Sequence, residues 1–155
     1  MENIINQPKK DYFEPSHTAE HLLNQTMVRM FGCERSRNAH IERKKSKCDY
    51  ILTEAPTEDQ LKEVEARVNE QIRRNLAVTS ELVSREQLPE GVDLSKLPED
   101  ASETLRIVRI GDYDICACIG SHVENTSEIG FFKILSSDFE EGRLRMRWKI
   151  IPECL

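Results

Sequence analysis

Apolar side chains recur at helical spacing in the middle of the chain. Between residues 57 and 76 an apolar residue returns every three to four positions, at Leu61, Val64, Val68 and Ile72. This period predicts an amphipathic helix of about five turns whose opposite face is charged. Thr57 and Gln60 stand at its start in the spacing of a capping box, in which each side chain binds a backbone N–H group of the other residue.

A second helix is predicted near the amino terminus. The stretch HTAEHLLNQTMVRMF follows Ser16, which is a suitable N-cap. Gly32 marks the end of this helix, because glycine adopts the left-handed conformation that closes many helices. His17 and His21 are one helical turn apart, so their imidazoles share one face.

The rest of the apolar pattern alternates, which predicts strands. Two short extended segments flank the charged turn at 44–47 and suggest a hairpin. Further extended segments occupy the last third of the chain, at TLRIVRI, YDICAC, GFFKIL and RLRMRWKII. In the last of these, apolar and basic residues alternate, so one face belongs to the core and the other to the surface.

These elements predict an α+β fold, with a single domain, an antiparallel or mixed β-sheet and two main helices packed on one face. Residues 1–14 are a polar lead-in, and residues 15–155 form the domain. Residues 84–103 contain two prolines and a glycine, so we expect mainly loop there, with at most one short helical turn.

The composition of the chain indicates in which cellular compartment we expect the protein. At 155 residues, 38% hydrophobic and 32% charged, the chain is typical of a globular domain. No apolar run approaches the roughly 18 residues of a membrane helix, and the amino terminus lacks the order of a secretory signal. We therefore expect a cytoplasmic protein with no membrane partner. Five cysteines form an odd set, which in a reducing compartment favours thiols or metal ligands over disulfides.

Two short motifs carry the candidate chemistry. His17 and His21 lie in HTAEH, and Cys118 and His122 lie in CIGSH at the end of a predicted strand. Imidazole and thiolate are ligands that Zn2+ prefers, and three or four of them complete a tetrahedron. Gly120 lets the backbone turn sharply between the second pair. The two motifs would form a zinc site if they met in the folded chain.

The residues around both motifs resemble the editing domain of alanyl-tRNA synthetase and its free-standing relatives, the AlaX-type editing proteins. A more distant likeness runs to the editing domain of threonyl-tRNA synthetase. The resemblance rests on HTAEHLL, CDYILTEAPTEDQLKEVEARVNEQIRRNLAV and LRIVRIGDYDICACIGSHVENTSEIG, and covers roughly residues 16–145.

The resemblance implies an aminoacyl-tRNA deacylase, a carboxylic ester hydrolase that edits mischarged aminoacyl-tRNA in trans and so serves translation fidelity. The implied substrate is Ser-tRNA(Ala), or Gly-tRNA(Ala), and the implied cofactor is Zn2+. The implied metal ligands are His17, His21, Cys118 and His122.

The chain departs from the family pattern in the turn at 118–122, here called the metal turn. The usual turn is Cys-Gly-Gly-Thr-His, whereas Ile119 and Ser121 replace a glycine and the threonine. The segment after Gly142 keeps only Arg145 of the usual Arg-Arg-Ile-Glu-Ala. These changes leave the ligand set intact and bear on substrate identity and catalytic strength.

Four side chains are candidates for roles in hydrolysis. Glu20 and Glu128 can hold water or the amino group of the substrate, although Glu20 can equally be a solvated helix residue. Alanine is smaller than serine, so an editing site for serine must read the hydroxyl group. Ser121 and Thr126 are candidates for that pocket, and Ser121 is also a candidate catalytic residue. Zinc can activate water or only position the substrate.

The net charge of −6 requires that a polyanionic partner meet a local basic patch. One candidate patch is in the hairpin, around Lys44 and Lys45, with Arg35, Arg37, Arg43 and Lys47 as further members. The other is the basic face of residues 143–149, which includes Arg145. Either patch can contact tRNA phosphates, or can be a charged surface that resists aggregation.

Three other functions stay open. The edited tRNA can be that of threonine, since serine is the wrong amino acid there too. The chain can also be a non-catalytic tRNA-binding module with a structural zinc. HTAEH further matches the inverted zincin pattern, in which two histidines bind zinc and Glu20 acts as the base of a peptidase, but that interpretation leaves Cys118 without a role.

Overall fold

A computed structural model describes residues 13–87 and 104–152 of the chain. Their main elements follow one another as α1 Glu14–Phe31, β1 Asn38–His40, β2 Ser46–Ile51, α2 Glu58–Arg73, β3 Val78–Ser84, β4 Thr104–Ile110, β5 Asp114–Ala117, β6 Phe131–Glu140 and β7 Arg143–Ile151. Two short 3-10 helices, Arg85–Gln87 and Thr126–Glu128, lie between them. In these ranges no helix combines the length and apolarity that spanning a membrane requires.

Helix α1 begins earlier than predicted. Phe13 is its N-cap, without a side-chain hydrogen bond, and Ser16 lies inside the helix, so the prediction of Ser16 as N-cap is wrong. Pro15 accounts for the earlier start, because its fixed φ and missing N–H group suit the first turn of a helix. Gly32, with φ of 68°, ends the helix as predicted. Of the predicted polar lead-in, residues 1–12 lie outside the described part of the chain.

Helix α2 has the predicted capping box. The Gln60 N–H group donates to Thr57 Oγ1 at 3.1 Å, and the Thr57 N–H group donates to Gln60 Oε1 at 2.8 Å. The helix ends at Arg73 rather than at residue 76. Asn75 has φ of 56°, a left-handed conformation that asparagine tolerates and that a continuing helix excludes.

The α+β class is confirmed, and the strands form two antiparallel sheets instead of one. The first has the order β1-β2-β7-β6 and the second the order β3-β4-β5. Strand β3 was not predicted, because it is an edge strand whose side chains are largely exposed. The predicted helical turn within 84–103 corresponds to the 3-10 helix, while residues 88–103 lie outside the described ranges.

Both helices pack on one face of the four-stranded sheet and form a common core with it. Strand β7 alternates as predicted, with its apolar side chains buried at Leu144, Met146, Trp148 and Ile150. Trp148 is fully buried, and its ring lies 5.3 Å from that of Phe132 on β6. The basic side chains of β7 therefore line the outer face of this sheet.

Helix α1 also runs alongside β5 in the opposite direction. Tyr113, just before β5, contacts Thr26 through a hydroxyl–hydroxyl bond of 2.6 Å. The next residue, Asp114 of the strand, accepts a hydrogen bond of 3.0 Å from the preceding residue of the helix, Gln25. The amino-terminal turns of α1 consequently lie beside the end of β5, where the metal turn begins.

Candidate metal centre

The structure brings together the four side chains of the two motifs. The ligand atoms of His17, His21, Cys118 and His122, called the metal cluster below, all lie within 4.8 Å of one another. His17 Nε2 is 3.3 Å from Cys118 Sγ. His21 is fully buried, and the other members are buried or nearly so. A buried group of this composition can hold a metal ion.

Each imidazole of the metal cluster has an oxygen atom next to its Nδ1. His17 Nδ1 donates to the backbone oxygen of Ser121 at 2.8 Å. His122 Nδ1 is 2.9 Å from Thr18 Oγ1, and His21 Nδ1 is 3.5 Å from Asp114 Oδ2. The Ser121 carbonyl oxygen can only accept a hydrogen bond, so it favours the tautomer of His17 whose lone pair is on Nε2, which is the form that binds a metal.

His122 is held in its neutral form. Burial lowers the pKa of His122 well below its usual value of 6.5, and nearby His21, His17 and Arg106 lower it further. Its Nε2 atom is buried and makes no hydrogen bond to the described residues. A neutral imidazole with an uncommitted nitrogen is suited to metal binding, since a metal competes with protons for that site.

The metal turn is fixed by backbone contacts to its neighbours. The Cys118 N–H group donates to Arg106 O at 3.1 Å, and the Arg106 guanidinium donates to Gly120 O. Thr18 also accepts a bond of 3.2 Å from the Val123 N–H group. Neither Thr18 nor Arg106 was predicted as part of the site, because no local pattern in the sequence marks either residue.

Zinc fits this donor set. Three imidazoles and one thiol are borderline-soft ligands of the kind found in four-coordinate zinc sites. The four cysteines that the structure describes lie outside any disulfide, so the sulfur of Cys118 can serve as a metal ligand. Because Cys118 and His122 lie with the two helix histidines, the peptidase interpretation, which needs only the HTAEH motif, accounts for half of the cluster.

Comparison with known proteins agrees with this site. Residues 105–145, which include the metal turn, match the family described as the threonyl and alanyl tRNA synthetase second additional domain. The chain is related to this synthetase domain. It is 31% identical over 137 residues, 88% of its length, to the alanine–tRNA ligase of Pseudoalteromonas translucida. The chain is 34% identical over 132 residues, 84% of its length, to the alanine–tRNA ligase of Petrotoga mobilis. It is 32% identical over 139 residues, 89% of its length, to that of Streptococcus agalactiae.

The chain spans about one sixth of these relatives. It covers 16% of the Pseudoalteromonas ligase and 15% of the Petrotoga ligase. The similarity to alanine–tRNA ligases therefore concerns one part of a much longer enzyme.

The three predicted catalytic residues, Glu20, Ser121 and Glu128, differ from one another in burial and in hydrogen bonding. Glu20 is only 1% exposed, so it is not the solvated helix residue that we considered. Ser121 has an exposed side chain within the metal turn. Glu128 caps the second 3-10 helix, where Oε2 accepts bonds from the N–H groups of Asn125 at 2.9 Å and Glu124 at 3.2 Å.

Thr126 is fully buried, and its hydroxyl group is engaged with the backbone at the end of α2. The hydroxyl donates to Gln71 O and Ile72 O, at 3.0 and 3.2 Å, and accepts a bond of 2.9 Å from the Leu76 N–H group. This contact ties the loop after the metal turn to the second helix.

The basic residues divide into free and paired ones. Lys44 and Lys45 are exposed in the turn between β1 and β2. Arg145 forms a two-point ion pair with Asp49, at 2.8 and 3.0 Å, which holds the pKa of the Asp49 carboxyl below its usual value. Arg35, which we expected on the surface, is buried and pairs with Asp114, so its assignment to a phosphate-binding patch is wrong.

Proposed function

We propose that this chain hydrolyses the ester bond of mischarged aminoacyl-tRNA, with Ser-tRNA(Ala) as the substrate and Gly-tRNA(Ala) as a second one. The observation that carries the proposal is the metal cluster, in which a helical histidine pair and a distant cysteine–histidine turn converge. Relationship to the alanyl tRNA synthetase second additional domain supports tRNA as the partner. We keep the cytoplasm as the expected compartment.

Zinc is the metal that we assign to the cluster. When bound, it would supply a Lewis acid that polarises the ester carbonyl or anchors the amino acid. The chain's own contribution is to place an oxygen atom beside Nδ1 of each of the three imidazoles, from Ser121 O, Thr18 and Asp114. Because these contacts already orient the imidazole rings, the site needs little rearrangement when the substrate binds.

We assign Ser121 to reading the serine hydroxyl group. Its side chain is exposed in the metal turn, and its backbone oxygen is fixed by His17. A site built to bind a hydroxyl group can reject the analogue that lacks it by about 10⁴- to 10⁵-fold. Ser121→Ala should therefore reduce the ratio of serine to alanine ester hydrolysis, and an unchanged ratio would exclude this role.

The remaining site residues take supporting roles in the proposal. Glu20 is buried one turn from His17, where its carboxylate can hold the attacking water or the substrate's amino group. We assign Glu128 and Thr126 to the wall of the pocket, because their hydrogen bonds shape the loop that follows the metal turn. Glu20→Gln should lower the rate of hydrolysis more than Glu128→Gln does.

The tRNA contact that we propose is the turn between β1 and β2. The Arg43 guanidinium lies 4.2 Å from the centre of the Phe13 ring, and Phe13 caps the helix that carries His17. Lys44 and Lys45 therefore lie near the end of α1 that holds the metal cluster. Lys45 also lines a cleft of about 250 Å³ with Lys47 and Arg147, whose positive charges favour a phosphate.

Charge reversal tests this contact. Lys44→Glu with Lys45→Glu should weaken tRNA binding and flatten its dependence on salt, because fewer counterions are released. Lys62→Glu with Arg73→Glu, on the exposed face of α2, is the matched control and should leave both properties unchanged. Arg145 is a weaker contact in the proposal, since Asp49 already neutralises it.

A deacylation panel tests the function itself. Seryl, glycyl and alanyl esters of alanine and threonine tRNAs are incubated with zinc-loaded protein, with chelator-treated protein and with the Cys118→Ser variant. We expect zinc-dependent release of serine from Ser-tRNA(Ala), with Ala-tRNA(Ala) spared. Preference for Ser-tRNA(Thr) would move the activity to the threonine system. Zinc binding without hydrolysis of any ester would make the chain a tRNA-binding module.

A further inference from the structure

A buried carboxylate lies behind the metal cluster, on the side away from the metal turn. Asp114, the first residue of β5, is 4% exposed and its Oδ2 atom is 3.5 Å from His21 Nδ1. The same carboxylate accepts two bonds from Arg35, at 2.7 and 3.1 Å, and one bond of 3.0 Å from Gln25. None of these contacts involves the residues that we assign to the substrate.

The geometry of Arg35 fixes the plane of this carboxylate. A guanidinium that binds both oxygens of a carboxylate leaves it little freedom to rotate. Gln25, one helical turn after His21, binds Oδ1 and thereby leaves Oδ2 directed at the imidazole. Asp114 is thus held from two elements, α1 and the segment between α1 and β1.

His21 differs in this respect from the other two imidazoles of the metal cluster. His17 and His122 have uncharged oxygens beside Nδ1, from the Ser121 backbone and the Thr18 hydroxyl. At His21 the oxygen beside Nδ1 belongs instead to a carboxylate, that of Asp114. A carboxylate behind a metal-binding histidine orients the ring and increases its strength as a ligand.

We propose that Asp114, clamped by Arg35 and Gln25, is the positioning residue of His21 and sets the affinity of the cluster for zinc. The inference rests on the zinc centre of the proposed function and does not require that the chain be a hydrolase. It also gives Arg35 a role that its place in the sequence did not suggest, because its two hydrogen bonds hold the Asp114 carboxylate in place behind His21.

The test is the zinc affinity of Asp114→Asn, which keeps the shape of the side chain and removes its charge. Zinc dissociation constants are measured by competition with a chromogenic chelator, and the cobalt-substituted protein is examined by visible absorption. We expect zinc to bind about 10- to 100-fold more weakly, with shifted cobalt bands, because outer partners of metal ligands have effects of this size.

The chain offers a matched control in a second aspartate–arginine pair. Asp49 is bound by Arg145 through two bonds of 2.8 and 3.0 Å, on the outer face of the four-stranded sheet. Asp49→Asn removes the same charge from the same kind of pair, so it reports the loss of stability alone. We expect it to leave the zinc affinity and the cobalt spectrum as in the unmodified protein.

A second variant covers the case in which Asp114→Asn does not fold. Asp114→Glu keeps the charge and moves the carboxylate by one methylene group, so it should weaken zinc binding and shift the cobalt bands. Unaltered affinity and spectrum in whichever of these variants folds would overturn the inference. Absence of deacylation by the unmodified, zinc-loaded protein, together with a zinc affinity that depends on Asp114, would instead overturn the proposed function and leave this inference standing.

Discussion

The two halves of the metal cluster are held in different ways. His17 and His21 project from the first turns of an 18-residue helix whose inner side is buried along most of its length. Cys118 and His122 belong to the metal turn, which has no regular secondary structure and is fixed by a few hydrogen bonds with His17, Thr18 and Arg106. The first half is a product of local geometry, and the second depends on contacts between distant segments.

This difference predicts where the site is vulnerable. Substitutions on the helix should leave the spacing of its histidines intact, because that spacing follows from the backbone. Substitutions around the metal turn should instead displace ligands, since few bonds determine its shape.

Removal of a ligand from either half should abolish the centre. For His17→Ala and for Cys118→Ser we expect zinc affinity and deacylation to fall by more than the roughly 10- to 100-fold typical of outer partners. Chelator competition and ester hydrolysis measure the two effects. Cys116→Ser is the control, because Cys116 is a buried thiol two residues earlier that lies outside the metal cluster. If Cys116→Ser reduced zinc affinity and deacylation as much as Cys118→Ser, the loss would come from removing a buried thiol and not from removing a metal ligand.

Thr18→Val should remove the hydrogen bonds that join α1 to the His122 half of the metal cluster. Thr18 stands on α1 but binds His122 and the Val123 N–H group, at 2.9 and 3.2 Å. Its loss should weaken zinc binding by about tenfold or more, as for other outer partners of ligating histidines. Thr26→Val removes a buried hydroxyl two turns further along the same helix and should spare zinc affinity. Similar affinities in the two variants would contradict the coupling.

Acid should destabilise the metal-free protein. Burial, His21 and His17 lower the pKa of His122 below the 6.5 of an ordinary histidine, so between these values the unfolded chain binds a proton that the folded chain does not. The stability is therefore complete above pH 6.5 and decreases as the pH falls below it, by at most about 1.4 kcal/mol per pH unit for this group. Urea unfolding of chelator-treated protein at several pH values measures the slope, which His122→Asn should flatten.

Arg106→Met should have the smallest effect, confined to the metal turn. It removes the bond to Gly120 O and keeps a flexible side chain of similar length. We expect a loss of about 1 kcal/mol of stability, the usual net contribution of one hydrogen bond. A modest rise in the zinc dissociation constant should accompany it. Arg109→Met, a substitution of an exposed residue of the same strand, is the control and should change neither quantity.

Much of the fold could be predicted because its signals are local. The capping box of Thr57 and Gln60, the apolar period of α2 and the alternation of β7 each arise within a few residues. The edge strand β3 carried no such signal, since its side chains are largely exposed. The start of α1 was also misjudged, because Pro15 rather than Ser16 determined it.

The four metal ligands could be predicted from the sequence, whereas the residues that hold these ligands in place could not. Two spaced histidines and a cysteine–histidine turn indicate metal chemistry from residue type alone. Their partners Thr18, Asp114 and Arg106 are ordinary polar residues, which acquire a role only when α1 and β5 come together. Arg35 is the clearest case, because its charge suggested a surface whereas a buried carboxylate 79 positions away attracts it inward.

The separation of the two halves along the chain also constrains the order of events during synthesis. His17 and Cys118 are 101 positions apart, so the ribosome produces the imidazole pair long before the thiolate that completes the centre. The nascent helix can therefore offer only two ligands to a passing ion. If the cluster binds zinc as we propose, metal loading is a late step, which requires that β5 has docked and that the chain has been made and folded at least to residue 122.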